Sequence, residues 1–287
     1  MKLKNIDVVN SISPKDFHDK YYSQKKPLII RHFAKEWDAY TKWDWSYLIQ
    51  QLGEHRVGVY NNIKSDAYTP INTADDYMLF GEYLKRLQEG PLNLRIFLFN
   101  LFQHAPKLVD DIKWPDHLCN GFVKSYPMLF VGGEGSVTHM HFDIDSSHIF
   151  HTQFIGRKKV LLFPFEEQYK LYRKPWEVLC QADFTDYETA FDYEKFPATS
   201  KAEGYEVILE HGDTLFMPAG YWHHMSYLES GFAVSLRALQ KSPRGKLMGL
   251  WRLFGMRNID TLLKKTFPIW WHDRKVRKLY KNAESYL

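Results

Sequence analysis

The chain has 287 residues, of which 45% are hydrophobic and 16% aromatic, enough for one large domain with a sizeable core. It has no run of 18 or more apolar residues, which excludes a membrane-spanning helix, and its N-terminus lacks the apolar stretch of a signal peptide. The two cysteines, Cys119 and Cys180, make neither a metal-binding cluster nor a disulfide framework, so we expect a reduced, cytoplasmic protein.

The net charge of +4 is unevenly distributed along the chain. Residues 241–287 contain twelve Lys and Arg against three Asp and Glu, a local charge of +9, which leaves −5 on the first 240 residues. A basic tail of this kind can bind nucleic acid, an acidic protein or the acidic body of a partner subunit. Alternatively, its charges only solvate the outer faces of terminal helices.

The N-terminal part combines helical and strand-like segments. Ser13 and Pro14, followed by Asp16, are typical of a helix N-terminus, and the β-branched run over 27–33 predicts a strand. The elements predicted after these are a helix over 43–52, a strand over 55–60, a helix over 78–87 closed by Gly90, and a strand over 94–100.

The centre of the chain is rich in short strands separated by Gly-containing turns, a pattern typical of a sandwich or barrel. From residue 245 the period becomes helical, and Pro268 divides the last helical stretch. We therefore expect a domain over 1–240, with α+β elements preceding a β-barrel, and a basic helical extension over 241–287. The predicted central strands cover 127–131, 148–155, 159–163, 205–209, 213–217 and 232–236.

Candidate metal ligands concentrate in the segment GGEGSVTHMHFDIDSSH. Alternate residues of an extended segment share a face, so His141 and Asp143 can both point into a barrel. A neighbouring strand should supply the third ligand, and the best candidate is His223 in GDTLFMPAGYWHH. Two imidazoles and one carboxylate on one face leave three open positions on an octahedral Fe(II), as in the facial triad of non-haem oxygenases.

His-x-Asp alone is a weak signal, because a lone histidine is more often a core residue than a ligand. The Gly-rich turn before it and the G-D-x4-P-x-G-x2-H segment, whose histidine lies 82 positions later, make the pattern more specific. One alternative stays open because His139 shares a face with His141 in an extended segment. It is a four-ligand site that uses no 2-oxo acid, formed by His139, His141, Asp143 or Asp145, and His223. The remaining nearby histidines are interpreted as structural: His148, His151 and His224.

Residues 133–141 and 212–223 resemble the two halves of the cupin signature, and GRKKVLLFP (156–164) narrows the resemblance to the JmjC hydroxylases. That family includes the asparaginyl hydroxylase acting on hypoxia-inducible factor and the wybutosine tRNA hydroxylase. The resemblance covers residues 13–239. It implies a mostly β fold with α elements, namely a double-stranded β-helix (jelly-roll, cupin) barrel with N-terminal α+β elements and C-terminal helices. It also implies an Fe(II)- and 2-oxoglutarate-dependent oxygenase, namely a hydroxylase that acts on a protein side chain or on another substrate.

By this resemblance His141, Asp143 and His223 are the iron ligands. Lys158 would bind the C5 carboxylate of 2-oxoglutarate, with help from the hydroxyl of Thr138. Because Arg157 and Lys159 flank Lys158, its inward orientation depends on the register of the strand.

The chain departs from the family pattern at three positions near that carboxylate. Phe97 stands where the asparaginyl hydroxylase has a tyrosine, and Ile149 and Arg237 stand where asparagines are expected. An inward Arg237 would assist the carboxylate held by Lys158 or bind an anionic substrate group, and an ordinary ion pair at the strand end is the alternative.

The resemblance favours a homodimer formed through the C-terminal helices, because their apolar faces need burial. Nucleic-acid binding is the alternative partner prediction, since Trp251, Trp270 and Trp271 lie among basic residues and offer surfaces for base stacking. A catalytically idle barrel that binds nucleic acid through this tail is the second alternative function.

Overall fold

The structure, a computed structural model, describes residues 1–63, 73–240 and 242–287. The described part of the chain contains fourteen strands. Their bounds are β1 Lys2–Asn5, β2 Asp7–Val9, β3 Leu28–Ile30, β4 Arg56–Val59, β5 Asp76–Leu79, β6 Arg95–Asn100, β7 Met128–Gly132, β8 Val137–His141, β9 His148–Ile155, β10 Lys158–Phe163, β11 Glu203–Leu209, β12 Thr214–Met217, β13 Trp222–Tyr227 and β14 Gly231–Ala238.

Helices occupy the N-terminal part and the C-terminus. The α-helices are α1 Pro14–Phe17, α2 Asp38–Lys42, α3 Trp45–Leu52, α4 Phe80–Glu89, α5 Leu101–His104, α6 Pro106–Val109, α7 Pro243–Leu250, α8 Arg257–Thr266 and α9 Pro268–Glu284. π-helical turns follow α1 (His18–Tyr22) and join α7 to α8 (Trp251–Met256), and 3-10 turns cover Phe33–Glu36, Phe165–Tyr169 and Pro197–Lys201. Within these described ranges, no helix combines the length and apolar character needed to cross a membrane.

Helix ends follow the local chemistry of the sequence. The Ser13 hydroxyl accepts a hydrogen bond from the backbone N–H of Asp16 at the start of α1, and Asp44 accepts one from Tyr47 at the start of α3. Each cap satisfies a backbone donor that the first turn leaves without an intrahelical partner. The helix predicted over 78–87 begins two residues late, at Phe80, because Met78 pairs with Val57 in the β4–β5 ribbon.

Two sheets carry the centre of the fold. One has the order β1-β11-β10-β13-β8 and the other the order β2-β3-β12-β9-β14-β7-β6. From β7 onward the chain therefore moves repeatedly between the sheets, with β7, β9, β12 and β14 in one and β8, β10, β11 and β13 in the other. This mostly β architecture with flanking helices fits the expected fold class at the level of a cupin-like fold.

Three apolar clusters hold these layers together. Phe17, Tyr83 and Phe232 belong to the cluster that joins the seven-stranded sheet to the N-terminal helices. A second cluster contains Ile149 and Val160, one from each sheet, so the two sheets share a core. Burying one such side chain stabilises the fold by about 1.5–3 kcal/mol.

The third cluster connects the five-stranded sheet to the C-terminus. Phe142 and Trp222 pack in it with Leu279 and Ala283 of α9 and with residues of the 164–202 segment. The C-terminal helices thus share a core with the barrel strands, and the division of the chain at residue 240 stays a prediction.

Candidate metal and co-substrate site

Two neighbouring strands bring three candidate ligands together. His141 ends β8 and lies directly opposite His223 of β13, with ring centroids 4.1 Å apart. Asp143 follows two residues after His141. One ligand atom from each of these three residues lies within 4.8 Å of the other two. Two imidazoles and a carboxylate at this separation fit a single divalent cation.

Backbone carbonyls orient both imidazoles. His141 Nδ1 lies 2.8 Å from the carbonyl oxygen of His139, and His223 Nδ1 lies 3.2 Å from that of Tyr221. Because a carbonyl only accepts, Nδ1 carries the proton in each ring and Nε2 keeps its lone pair for a metal. Burial, followed by the proximity of His223, lowers the pKa of His141 to about 3, so its ring is neutral near pH 7.

Arg237 binds the carboxylate of the triad. Its Nη2 donates to Asp143 Oδ1 at 2.9 Å, and its Nη1 donates to both oxygens of Asp145 at 3.2 Å. Burial opposes ionisation of Asp143, but Arg237 and the two histidines outweigh it and hold the pKa of this carboxyl below its usual range. One Asp143 oxygen is therefore occupied by the guanidinium, and the carboxylate is fixed in its charged form.

An irregularity in β8 places Thr138 on the same face as His141. His141 lies opposite His223, whereas Thr138 lies opposite Met225, so three steps along β8 match two along β13. Such a bulge shifts the alternation of side chains by one residue. Thr138 and His141, three positions apart, consequently face the same interior.

Lys158 enters that interior from β10. It lies opposite Tyr227 of β13, while Leu162 lies opposite His223, so alternation puts Lys158 on the face of the triad. Lys158 and Leu162 are four residues apart, which corresponds to about 13 Å along β10 at about 3.3 Å per residue. A Cβ at Gly132 would lie 2.5 Å from the Tyr227 ring, and the glycine therefore makes room for this tyrosine.

The ammonium of Lys158 is fully buried among neutral groups. Its Nζ lies 3.2 Å from His151 Nε2 and 4.3 Å from the centroid of the Tyr227 ring, and His151 Nδ1 lies 2.7 Å from Ser235 Oγ. No carboxylate in the described ranges forms an ion pair with it. Burial lowers the pKa of Lys158 to about 7. A buried cation without a counter-ion is costly, so the pocket fits an anionic ligand.

Comparison with known proteins agrees with this geometry. The family model for the cupin-like domain matches residues 14–238, which is most of the chain. The chain belongs to the cupin-like domain family. Cupin-like oxygenases of the JmjC type use Fe(II) and 2-oxoglutarate, and these are the metal and the co-substrate of this His–Asp–His triad.

Several curated relatives extend the comparison. Lysine-specific demethylase 8 of Xenopus tropicalis is 29% identical over 224 residues, which are 76% of this chain and 49% of that protein. Lysine-specific demethylase 8 of Danio rerio is 28% identical over 240 residues, 81% of this chain and 58% of that protein. tRNA wybutosine-synthesizing protein 5 of Homo sapiens is 27% identical over 255 residues, 79% of this chain and 76% of that protein. The chain thus spans about half the length of the two demethylases.

In this cupin-like protein the other histidines near the triad have different partners. His139 Nε2 lies 2.7 Å from the carbonyl oxygen of Asn62, and His224 Nε2 lies 3.1 Å from Ser226 Oγ. Asp145, the other candidate of the four-ligand alternative, is paired with Arg237. In the described residues the cluster within 4.8 Å contains only the three predicted ligands, which gives the four-ligand alternative no support.

The three departures from the family pattern have distinct surroundings. Phe97 packs edge-on against Tyr60, with ring centroids 4.4 Å apart, and Ile149 belongs to the core between the sheets. Arg237 was expected either beside Lys158, on a substrate anion or in an ordinary ion pair. Its hydrogen bonds go to Asp143 and Asp145, so the pair it makes includes a candidate metal ligand.

Sequence reasoning missed Tyr227 of the cupin-like pocket and interpreted His151 as structural. Strand alternation contains a signal for the first, because Tyr227 is four positions after His223 on β13. The contact of His151 with Lys158 joins β9 to β10, which are strands of different sheets. A local sequence pattern therefore does not predict it.

Proposed function

We propose that this chain is an Fe(II)- and 2-oxoglutarate-dependent hydroxylase. In this proposal His141, Asp143 and His223 hold the iron, and Lys158 with Thr138 holds the C5 carboxylate of 2-oxoglutarate. The observation that carries the proposal is the buried Lys158, a cation without an acidic partner in the described residues, on the same interior face as the triad. When bound, iron and 2-oxoglutarate supply, with O₂, the oxidising power that inserts oxygen into a C–H bond, with succinate and CO₂ as co-products.

The protein's own groups bind and orient in this scheme. The Nε2 atoms of His141 and His223 and one carboxylate oxygen of Asp143 would hold the metal, while Arg237 donates to Asp143 Oδ1. When charged, Lys158 donates one N–H to His151, which leaves its other N–H groups for a carboxylate. The Thr138 hydroxyl is available for the same carboxylate.

The relatives of this chain are named for different substrates. Relatives are named as lysine-specific and arginine-specific demethylases and as a tRNA wybutosine-synthesizing protein. Hydroxylation of a carbon attached to nitrogen leads to demethylation, so both outcomes follow from one type of oxidation. We favour hydroxylation of a protein side chain, as in the asparaginyl hydroxylase that the sequence resembles. The interleaving of β7–β14 supports a double-stranded β-helix as the frame of the site, and the cytoplasmic location stays a prediction.

Turnover of 2-oxoglutarate tests the proposal. With Fe(II) and O₂ the wild-type protein should release succinate, and the His141→Ala and Asp143→Ala variants should not. His224→Ala is the matched control, because this adjacent histidine bonds Ser226 instead. Absence of succinate from the wild type with peptide, RNA and cell-extract substrates would refute the proposal. Mass spectrometry for a product heavier by one oxygen would then identify the substrate.

We also propose a homodimer formed through the C-terminal helices. Leu247, Phe254, Leu262 and Ile269 are each more than 60% exposed on this part of the chain, which is unusual for large apolar side chains that lie close in sequence. A second copy would bury them. Light scattering should show a dimer that Phe254→Asp converts to a monomer, whereas Val8→Asp, at an exposed valine of β2, should leave it intact. A monomeric wild type that retains RNA in a salt-sensitive way would favour the nucleic-acid alternative.

A further inference from the structure

We propose that Glu177 is a positioning residue for the metal site. Through its carboxylate, helices α8 and α9 hold the loop 173–180 against the edge of β8 that lies opposite β13, and so fix the strand end that carries His141 and Asp143. The C-terminal helices then contribute to metal affinity without contributing a ligand.

The first observation concerns the edge of β8. Among the strands that the structure describes, β8 is the last of its sheet, and β13 pairs with one of its sides. The loop covers the other side: Leu179 forms a bridge with His141, Phe142 N–H donates to the Val178 carbonyl at 3.2 Å, and Cys180 N–H donates to the Met140 carbonyl at 3.3 Å. These backbone contacts lie directly beside two of the three candidate ligands.

The second observation concerns what holds the loop. Glu177 is 8% exposed, and its Oε1 accepts a hydrogen bond from Lys275 of α9. The same oxygen forms an ion pair with Lys264 of α8 at 3.2 Å. Asp260 of α8 pairs with the same two lysines at 3.0 Å and accepts a hydrogen bond from Trp271 at 2.8 Å. Two carboxylates and two ammonium groups thus form a balanced, largely buried cluster between the loop and the helices.

The two observations are joined by a very short piece of chain. Glu177 lies one residue before Val178 and two before Leu179, so a displacement of its backbone moves the groups that contact β8. If Glu177 loses its charge, Lys264 and Lys275 keep only Asp260 as a carboxylate of the cluster. An unpaired buried charge is unfavourable, so the helices and the loop should then separate locally.

Glu177→Gln tests the inference with little change of shape. In the metal-free protein we expect faster amide hydrogen exchange over residues 138–143, because the loop no longer protects the strand edge. In Co(II) titrations of the folded variant we expect the Kd to rise about tenfold, at the lower end of the range for groups that orient metal ligands. Asp260→Asn, which weakens the cluster from the helix side, should change both quantities in the same direction.

Glu188→Gln is the matched control. Glu188 lies in the same 164–202 segment with an exposed carboxylate, and the substitution removes its ion pair with Lys159 of β10. It should leave exchange and Co(II) affinity unchanged. If Glu177→Gln does not fold, Lys264→Gln removes one half-buried partner and keeps Glu177 paired with Lys275, and a smaller rise in both quantities is expected.

Wild-type exchange over 138–143 together with wild-type Co(II) affinity in these variants would overturn the inference, because the cluster would then only stabilise the C-terminal helices. The inference rests on the proposed metal site. Failure of the wild-type protein to bind Co(II) would count against that site, whereas the exchange comparison in metal-free protein reports on the positioning alone.

Discussion

Lys158 Nζ lies 3.2 Å from Nε2 of His151, a neutral and buried ring, rather than beside an acid. Because the ring accepts through Nε2 from the charged lysine, Nδ1 must carry its proton and donate to Ser235 Oγ, 2.7 Å away. Burial, and after it the charge of Lys158, lowers the pKa of His151 and keeps this ring neutral. The arrangement orients an ammonium group without neutralising it, which leaves its charge for a ligand.

The first prediction concerns the pH dependence of co-substrate binding. The pKa of Lys158 is about 7 without a ligand, and a bound carboxylate favours the charged amine and raises it. At pH 8 about nine tenths of the free protein has a neutral Lys158, so binding should take up about one proton, and at pH 6 far less. The Kd of 2-oxoglutarate should therefore rise as pH increases above 7.

Anaerobic calorimetry with Mn(II)-loaded protein measures this proton uptake, by comparing buffers of different ionisation enthalpy. Tyr227 and His151 face Lys158, but both stay neutral over this range, because burial raises the pKa of the tyrosine and lowers that of the histidine. The same uptake at pH 6 and pH 8 would contradict the prediction.

Replacement of His151 by leucine should disturb the orientation of the Lys158 ammonium without disturbing metal binding. The ammonium of Lys158 loses an acceptor, and we expect the KM for 2-oxoglutarate to rise about tenfold, or ~1.4 kcal/mol, with little change in Co(II) affinity. Steady-state kinetics and metal titration measure the two effects. His148→Leu is the control in the same strand, because His148 accepts from the backbone of Ala219 instead. A KM that stays at the wild-type value would show that Lys158 needs no acceptor.

Arg237→Gln should weaken the binding of the metal rather than the binding of 2-oxoglutarate. Asp143 and Asp145 would lose their shared guanidinium. We expect the Kd for Co(II) to rise about 10-fold or more, which is the loss of affinity typical when a group that orients a metal ligand is removed. Arg237→Lys should restore little, because one ammonium group does not reproduce the planar guanidinium fork. Should the variant instead raise only the KM for 2-oxoglutarate, the sequence-based expectation of a co-substrate contact would be preferred.

Thr138→Val tests whether the Thr138 hydroxyl, which the bulge in β8 turns toward the pocket, binds 2-oxoglutarate. The substitution removes the hydroxyl with little change in volume, and we expect the KM for 2-oxoglutarate to rise about fivefold, or ~1 kcal/mol. Thr152→Val provides a comparison, because the Thr152 hydroxyl bonds Thr214 elsewhere in the sheet. Equal effects of the two substitutions on KM would mean that Thr138 has no specific role in binding.

Local sequence patterns determined most of the framework. Short β-type runs between Gly-containing turns predicted strands such as β7, β9 and β10, and the caps at Ser13 and Asp44 explain where two helices begin. Both kinds of signal depend on residues close in sequence, whose geometry is fixed by the backbone period. Spacing also paired His141 with Asp143, because two positions along a strand return a side chain to the same face, and the G-D-x4-P-x-G-x2-H segment supplied His223.

Tertiary structure decided which partners these residues meet. Thr138 faces the pocket because of a bulge in β8 that its residue types do not predict. Arg237 contacts Asp143 because the packing of the two sheets brings β14 to the end of β8. Glu177 meets Lys275, 98 positions later in the chain, only because α9 packs on the 164–202 segment. A sequence specifies periods and chemical types directly, whereas contacts between distant segments depend on how whole layers pack. The ligand set was therefore readable in advance, and the groups that orient it were not.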